Sequence, residues 1–151
     1  MDQIKKTKLM ILMEHTWLTS SGTTKKFLSR QLTHYLSRLL DRNKYEAVYE
    51  GGLDVFNSSS EEPDVVVYQK ENGLQPLMAI EICNSADVDS LNRRVCQLMD
   101  RFRLREFFLY AMDEKRWYKH TANSNHFIPS SVSDSLAFTF DDPLTLFQVR
   151  N

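Results

Sequence analysis

The chain has little of what marks several functional classes. Glycine and proline occur only 4 times each in 151 residues, so no long low-complexity or disordered tract is expected. The only cysteines are Cys83 and Cys96. They form no CxxC pair, and no histidines recur at ligand spacing, which argues against a structural zinc site and against a disulfide framework. The formal net charge is −1, so there is no global basic field of the kind that coats nucleic acid, although basic residues grouped on one face would escape this count. Long hydrophobic runs are missing too: Leu9 to Met13 is cut short by Glu14 and His15. Neither a signal peptide nor a membrane span is expected, and a cytoplasmic location follows as the expectation. What remains is an ordinary globular profile, 42% hydrophobic, 11% aromatic and 26% charged. A chain of this length is expected to form a single domain, 1–151, burying roughly two-thirds of its unfolded surface.

Hydrophobic spacing supplies the elements. Leu9 to Met13 reads equally as a short strand or the opening of a helix. Phe27, Leu28, Leu32, Tyr35, Leu36, Leu39 and Leu40 recur at three- and four-residue steps, predicting a helix from about Thr24 to Asn43 with Thr23 or Thr24 as its N-cap. Its polar face carries Lys25, Lys26, Arg30, Arg38 and Arg42. These residues could contact phosphates, but a solvated face is the preferred reading. Tyr45 to Tyr49 reads as a strand, Glu50-Gly51-Gly52 as a turn, and Leu53 to Phe56 as its hairpin partner. After a polar loop ending at Pro63, Asp64 to Tyr68 is a strand whose β-branched run predicts burial on both faces. Leu77 to Cys83 is a further apolar strand with Glu81 as its lone charge. A second helix is predicted from Val88 to Arg103, with Ser85 or Asp87 as its cap. Phe107 to Ala111 and Trp117 to His120 then read as strands joined by a turn, the aromatic hairpin sealing a sheet edge. There is no internal repeat. The order predicts an α/β fold with a mixed central sheet flanked by helices, the strand–helix–strand from Leu77 to Ala111 requiring a parallel pair.

Two carboxylates stand out against this frame. Asp64 opens a buried strand and Glu81 lies near the end of another, where a charge is costly unless paired, hydrogen-bonded or bound to metal. If the two strands are neighbours, both side chains can converge on one hard cation such as Mg²⁺, which accepts one or two carboxylates and keeps exchangeable waters. Each residue also has a plainer role open to it. Asp64 could cap local backbone amides, and Glu81 could form a buried ion pair with an arginine such as Arg93.

Pro63-Asp64, a turn-containing spacer and the strand ending Ile80-Glu81-Ile82-Cys83 resemble the PD-(D/E)XK motif of the restriction-endonuclease-like superfamily. The longer text is similar to the Uma-type branch, a group of small endonuclease-like proteins. It comprises Ala79-Ile80-Glu81-Ile82-Cys83-Asn84-Ser85, then Asp89 and Arg93-Arg94, then Leu104-Arg105-Glu106-Phe107-Phe108-Leu109-Tyr110. The likeness covers about Thr24 to His120, with an apolar ending at Leu144 to Phe147. It implies a restriction-endonuclease-like fold and hydrolysis of DNA with Mg²⁺ or Mn²⁺ held by Asp64 and Glu81. Glu50 is the candidate third ligand, with Glu46 behind it, although an exposed turn residue is an equally serviceable role for Glu50. The chain departs from the motif where lysine is expected two residues after the glutamate, because Cys83 stands there. In the Uma-type branch a lysine sits in the following helix, so Arg93 or Arg94 is expected to supply the cation; arginine stabilises charge but cannot act as a base. Cys83, beside acidic neighbours in an apolar strand, is expected to have a raised pKa and not to be a nucleophile. Two functional readings follow: a metal-dependent nuclease acting on DNA, or a catalytically degenerate nuclease fold serving as a nucleic-acid or protein interaction module. No membrane partner is expected, and a homodimer is allowed without any interface being marked.

Overall fold

The computed structural model describes residues 21–53 and 62–140. The run Leu9 to Met13, most of the loop before Pro63 and the ending at Leu144 to Phe147 lie outside these residues. Helix α1 spans Ser21–Leu39, followed by β1 (Tyr45–Tyr49), β2 (Val65–Gln69) and β3 (Gln75–Cys83). A 3-10 turn, Ser85–Asp87, leads into α2 (Val88–Phe102), then β4 (Glu106–Ala111) and β5 (Arg116–Thr121). Three two-residue strands follow: β6 (Ile128–Pro129), β7 (Val132–Ser133) and β8 (Phe138–Thr139). Strands β1 to β6 form one sheet in sequence order, while β7 and β8 pair separately. Within the large sheet β3 and β4 run parallel, Glu81 lying opposite Leu109, and every other pairing is antiparallel.

The sheet divides the core in two. Leu28, Leu32 and Leu36 of α1 pack with Val65, Val67, Met78, Ile80, Ile82, Phe108 and Tyr110. Val95, Leu98 and Met99 of α2 pack with Val66, Ala79, Phe107 and Leu109 on the other side. The alternation along β2, β3 and β4 sends successive side chains to opposite helices, which is why these strands read as continuous apolar runs. Trp117 joins the α1 side, its ring 5.0 Å from Tyr110 and 4.8 Å from Phe140. Among the described residues no helix is long and apolar enough to cross a membrane.

Three expectations change. Helix α1 stops at Leu39, short of Asn43, because the Asp41 carboxylate accepts the Asn43 N–H at 2.9 Å and the Asp41 carbonyl accepts those of Lys44 and Tyr45. An aspartate that bonds the backbone ahead of it offers a turn in place of further helix. The antiparallel partner of β1 is β2, Tyr49 lying opposite Val65, and not Leu53 to Phe56. Leu53 is a buried bend residue, and 54–56 lie outside the described residues. The reason lies at Gly51, where a Cβ would meet the Tyr68 hydroxyl at 2.7 Å. That hydroxyl donates to the Gly52 carbonyl, so the glycines lie flat against Tyr68 of β2 and do not form a tight hairpin. Finally, β5 does not end the sheet, since Tyr118 and Lys119 pair with Pro129 and Ile128 of β6. A two-residue strand containing proline carries no periodicity, and proline suits an edge that needs no donor.

At the amino end of β4 the sheet buries an ion pair. Glu106 and Lys119 are 2% and 5% exposed, with Lys119 Nζ 3.1 Å from Glu106 Oε2 and 2.6 Å from Asp134 Oδ2. Glu106 also accepts from the Ser133 hydroxyl at 2.7 Å and from the Asp134 and Ser135 amides at 2.9 and 3.2 Å. Burial pushes the Glu106 pKa up, but the Ser133, Ser135 and Asp134 donors and Lys119 outweigh it and hold the carboxyl below its ordinary 4.5. Removing one member of such a pair leaves the other charge buried and unpaired. Glu106→Ala is therefore expected to lower stability by about 3–5 kcal/mol in urea unfolding at pH 7. Because the folded pKa lies below the unfolded one, this contribution is complete above the unfolded value and disappears as pH falls through the folded one. Glu106→Gln should accordingly flatten the acid limb of the stability profile.

Candidate functional site

Asp64 and Glu81 reach one place from neighbouring strands. Asp64 immediately precedes β2, whose Val65 lies opposite Ile80 of β3, so Asp64 stands beside the last residues of β3. There its Oδ2 accepts the Ile82 backbone N–H at 2.7 Å. Asp64 thus binds a backbone amide, but one on the neighbouring strand and not the local amides that a capping role would have used. Glu81 comes from the carboxyl half of β3. Both carboxylates contact a third group, the ammonium of Lys25 on α1, at 3.4 Å from Asp64 Oδ2 and 3.3 Å from Glu81 Oε1. The ion pair considered for Glu81 therefore has Lys25, and not Arg93, as its direct partner. The Asp64 and Glu81 side chains are 13% and 15% exposed and that of Lys25 is 36% exposed.

Beside this triad lies a cleft of about 360 Å³, lined by Lys25, Glu81, Cys83, Asp87, Arg94 and Met112 among others. It opens beyond the carboxyl ends of β3 and β4, the position where parallel strands diverge to their separate connections and where α/β folds bind ligands. One rim is pinned: Ser85 donates its N–H to Asp113 at 2.8 Å and its hydroxyl to the same carboxylate. Those Ser85 bonds hold Asp113 below its ordinary pKa.

The electrostatics are those of a place short of positive charge. Burial raises the Glu81 pKa, the Asp64 carboxylate raises it further, and Lys25 and Arg94 only partly oppose this. Asp64 is likewise raised, chiefly by burial and with a smaller push from Glu50, against the Ile82 N–H and Lys25. Burial also works against the Lys25 charge, but the two carboxylates prevail and lift its pKa above the usual lysine value. Cys83 is pushed up to about 12 by burial, with Asp87 and Glu81 adding to it, so it is a neutral thiol at physiological pH, as its surroundings in the sequence implied.

The other expected site residues are placed as follows. Arg94 lines the cleft; Arg93 is exposed and does not. One residue of helix rotation separates them, and only Arg94 turns toward Glu81. Glu50 is close enough for its charge to act on Asp64, and its backbone N–H donates to the Asp64 carbonyl at 2.9 Å. Glu50 is, however, exposed, and it also helps raise the Tyr49 pKa. Among the described residues no three acidic, histidine or cysteine side chains are grouped to hold a metal, so Glu50 is not gathered with Asp64 and Glu81 in this arrangement. Glu46, farther along β1, pairs across to Tyr68.

Lys25 is the residue that the sequence reading assigned to the solvated face of α1. The signal was present: Lys25, Leu28, Leu32 and Leu36 follow at steps of three and four, one continuous stripe. The three leucines are buried to within 1%. Lysine at the head of an apolar stripe points along the core face to its edge, where an unbranched stem can bury itself and leave its charge at the rim.

A raised carboxyl pKa means that ionised Glu81 costs stability: folding is most favoured below the unfolded pKa of Glu81, and the advantage is lost as pH rises through the folded value. Glu81→Gln removes that cost while keeping shape. It is expected to raise the melting temperature by about 2–4 °C at pH 7, a gain on the order of 1 kcal/mol for a chain of this size. Calorimetric melting of the two proteins checks this, and an unchanged or lower value for Glu81→Gln would count against the charge balance described.

No protein-family profile matches the sequence, and no curated protein matches it. Among solved structures the fold is similar to that of a protein from Anabaena variabilis described as a candidate nuclease belonging to DUF820. The TM-score is 0.59 at 14% identity, over 80% of this chain and 79% of that one. At that identity the likeness is one of fold alone, a mixed α/β sheet flanked by helices as the order of elements in the sequence led one to expect.

Proposed function

We propose that the protein is a divalent-metal-dependent nuclease hydrolysing phosphodiester bonds in DNA. The observation that supports this best is the convergence of Asp64 and Glu81 at the edge of a cleft beyond the parallel pair. Their oxygens are hard donors suited to Mg²⁺ or Mn²⁺. Two carboxylates facing one ammonium leave a net negative charge for a further cation to offset. When bound, such a metal would lower the pKa of water and polarise a phosphate oxygen. Asp64 and Glu81 would be its ligands, with Asp64 held in aim by the Ile82 N–H. Arg94, which lines the same cleft, would pair with a phosphate. In the reaction, water oxygen bonds to phosphorus, the bond to the leaving sugar oxygen breaks with its electron pair on that oxygen, and a proton from water neutralises it.

The second reading, a degenerate fold that binds nucleic acid or protein without cleaving, draws its support from Cys83. A neutral thiol there can neither offset phosphate charge nor orient water as the motif lysine would.

Calorimetric titration of Mn²⁺ into wild type and Asp64→Ala, with plasmid and single-stranded DNA cleavage followed in parallel, separates the two. The nuclease reading expects wild type to bind Mn²⁺ and nick DNA, and Asp64→Ala to do neither. Absence of binding at millimolar Mn²⁺ sinks it, and binding without cleavage of either DNA favours the second reading.

A further inference from the structure

We infer that Lys25 is the catalytic cation of this site, delivered by the first turns of α1 to the job that the strand position occupied by Cys83 cannot perform. The inference rests on the nuclease reading and names a residue for it. Three observations carry it. The Lys25 ammonium is the group that both carboxylates share, at 3.4 Å from Asp64 and 3.3 Å from Glu81, so it stands beside any phosphate drawn to that pair. It also lines the cleft together with Glu81 and Arg94. Its placement is built into the core, because Leu28, Leu32 and Leu36 on the same stripe of α1 are buried against β2, β3 and β4. Sliding or rotating the helix to withdraw Lys25 would uncover those leucines.

An ammonium has three N–H donors. Two are accounted for by Asp64 and Glu81, which leaves one for a non-bridging phosphate oxygen or the attacking water in the cleft. Donating there offsets the charge that grows on phosphate oxygens as the new bond to phosphorus forms, in a partly dry site where such a donor counts for most. Cys83 is in the same cleft but neutral. Arg94 lines the cleft from α2 and acts on Glu81 through its charge, whereas Lys25 contacts both carboxylates directly. Lys25 has a second consequence that a purely structural lysine shares only in part. Resting between the carboxylates, it competes with a divalent cation for the same oxygens, so its removal should tighten metal binding while slowing the reaction. Loss of an ordinary supporting residue would weaken both.

The test compares wild type, Lys25→Met, Lys25→Arg and Lys26→Ala, the last altering an exposed neighbour on the same turn. Plasmid nicking at saturating Mn²⁺ and calorimetric Mn²⁺ affinity are measured for each, with melting curves to establish folding and Lys25→Gln in reserve if Lys25→Met does not fold. Expected are a loss of roughly 10²–10³-fold in the nicking rate for Lys25→Met, a tighter Mn²⁺ affinity, partial recovery in Lys25→Arg, and a wild-type rate in Lys26→Ala. If wild type nicks DNA and folded Lys25→Met does so equally fast, or regains its rate simply on raising Mn²⁺, the inference is overturned and the nuclease reading stands. If wild type shows no Mn²⁺-dependent cleavage, the nuclease reading falls and takes this inference with it.

Discussion

Strands β2, β3 and β4 are buried on both faces, and the rest of the architecture follows from that condition. Val65, Val66 and Val67, then Met78, Ala79 and Ile80, then Phe108 and Leu109 have no measurable exposure. A sheet whose centre is apolar on both sides needs a cover on each, and the chain provides one helix for each. The second cover, α2, also serves as the crossover between β3 and β4, which makes those two strands parallel. Parallel neighbours joined in this way leave a gap beyond their carboxyl ends, where the chain turns off to the helix. The cleft is there, and the length of β3 sets how far Glu81 stands from it.

The sheet carries two buried clusters of charge, one at each end, and they are solved in opposite ways. At the amino end of β4, Glu106 receives donors from Ser133, Asp134, Ser135 and Lys119, and its pKa falls. Its charge is fully compensated and the result is stability. At the carboxyl end of β3, Asp64 and Glu81 face the Lys25 ammonium, the Ile82 N–H and the charge of Arg94, yet their pKa values rise. That charge is under-compensated, at a cost in stability that packing elsewhere must cover. Like charges only partly offset in a cleft are the arrangement that a further cation would relieve.

How much of this was legible beforehand depended on range. The valine run of β2, the aromatic run of β4 and the stripe of α2 announced themselves, because strand and helix periods are written in neighbouring residues. Glu81 was visible as one charge in an apolar strand, and Asp64 as the residue after a proline at a strand's start. The β1 partner was misjudged, because Glu50-Gly51-Gly52 has the composition of a tight hairpin. Its actual conformation is imposed by the Tyr68 ring and hydroxyl, which arrive from another strand. The small strands β6, β7 and β8 were missed because two residues carry no period at all.

The identity of the carboxylate pair and the two-faced strands could be read in one dimension, since each depends on what a residue is and what stands within a few positions of it. The convergence of the pair could not, because it depends on β2 and β3 being hydrogen-bonded in a register that sets Asp64 against Ile82. Nor could the choice of Arg94 over Arg93, which turns on the rotation of α2 by one residue. Lys25 is the clearest case: it lies 56 residues from Glu81, and the leucine stripe that sets it apart from Lys26 does not say what it meets. Only the docking of the α1 leucines onto the sheet sends one of these adjacent lysines to the carboxylates and the other to water.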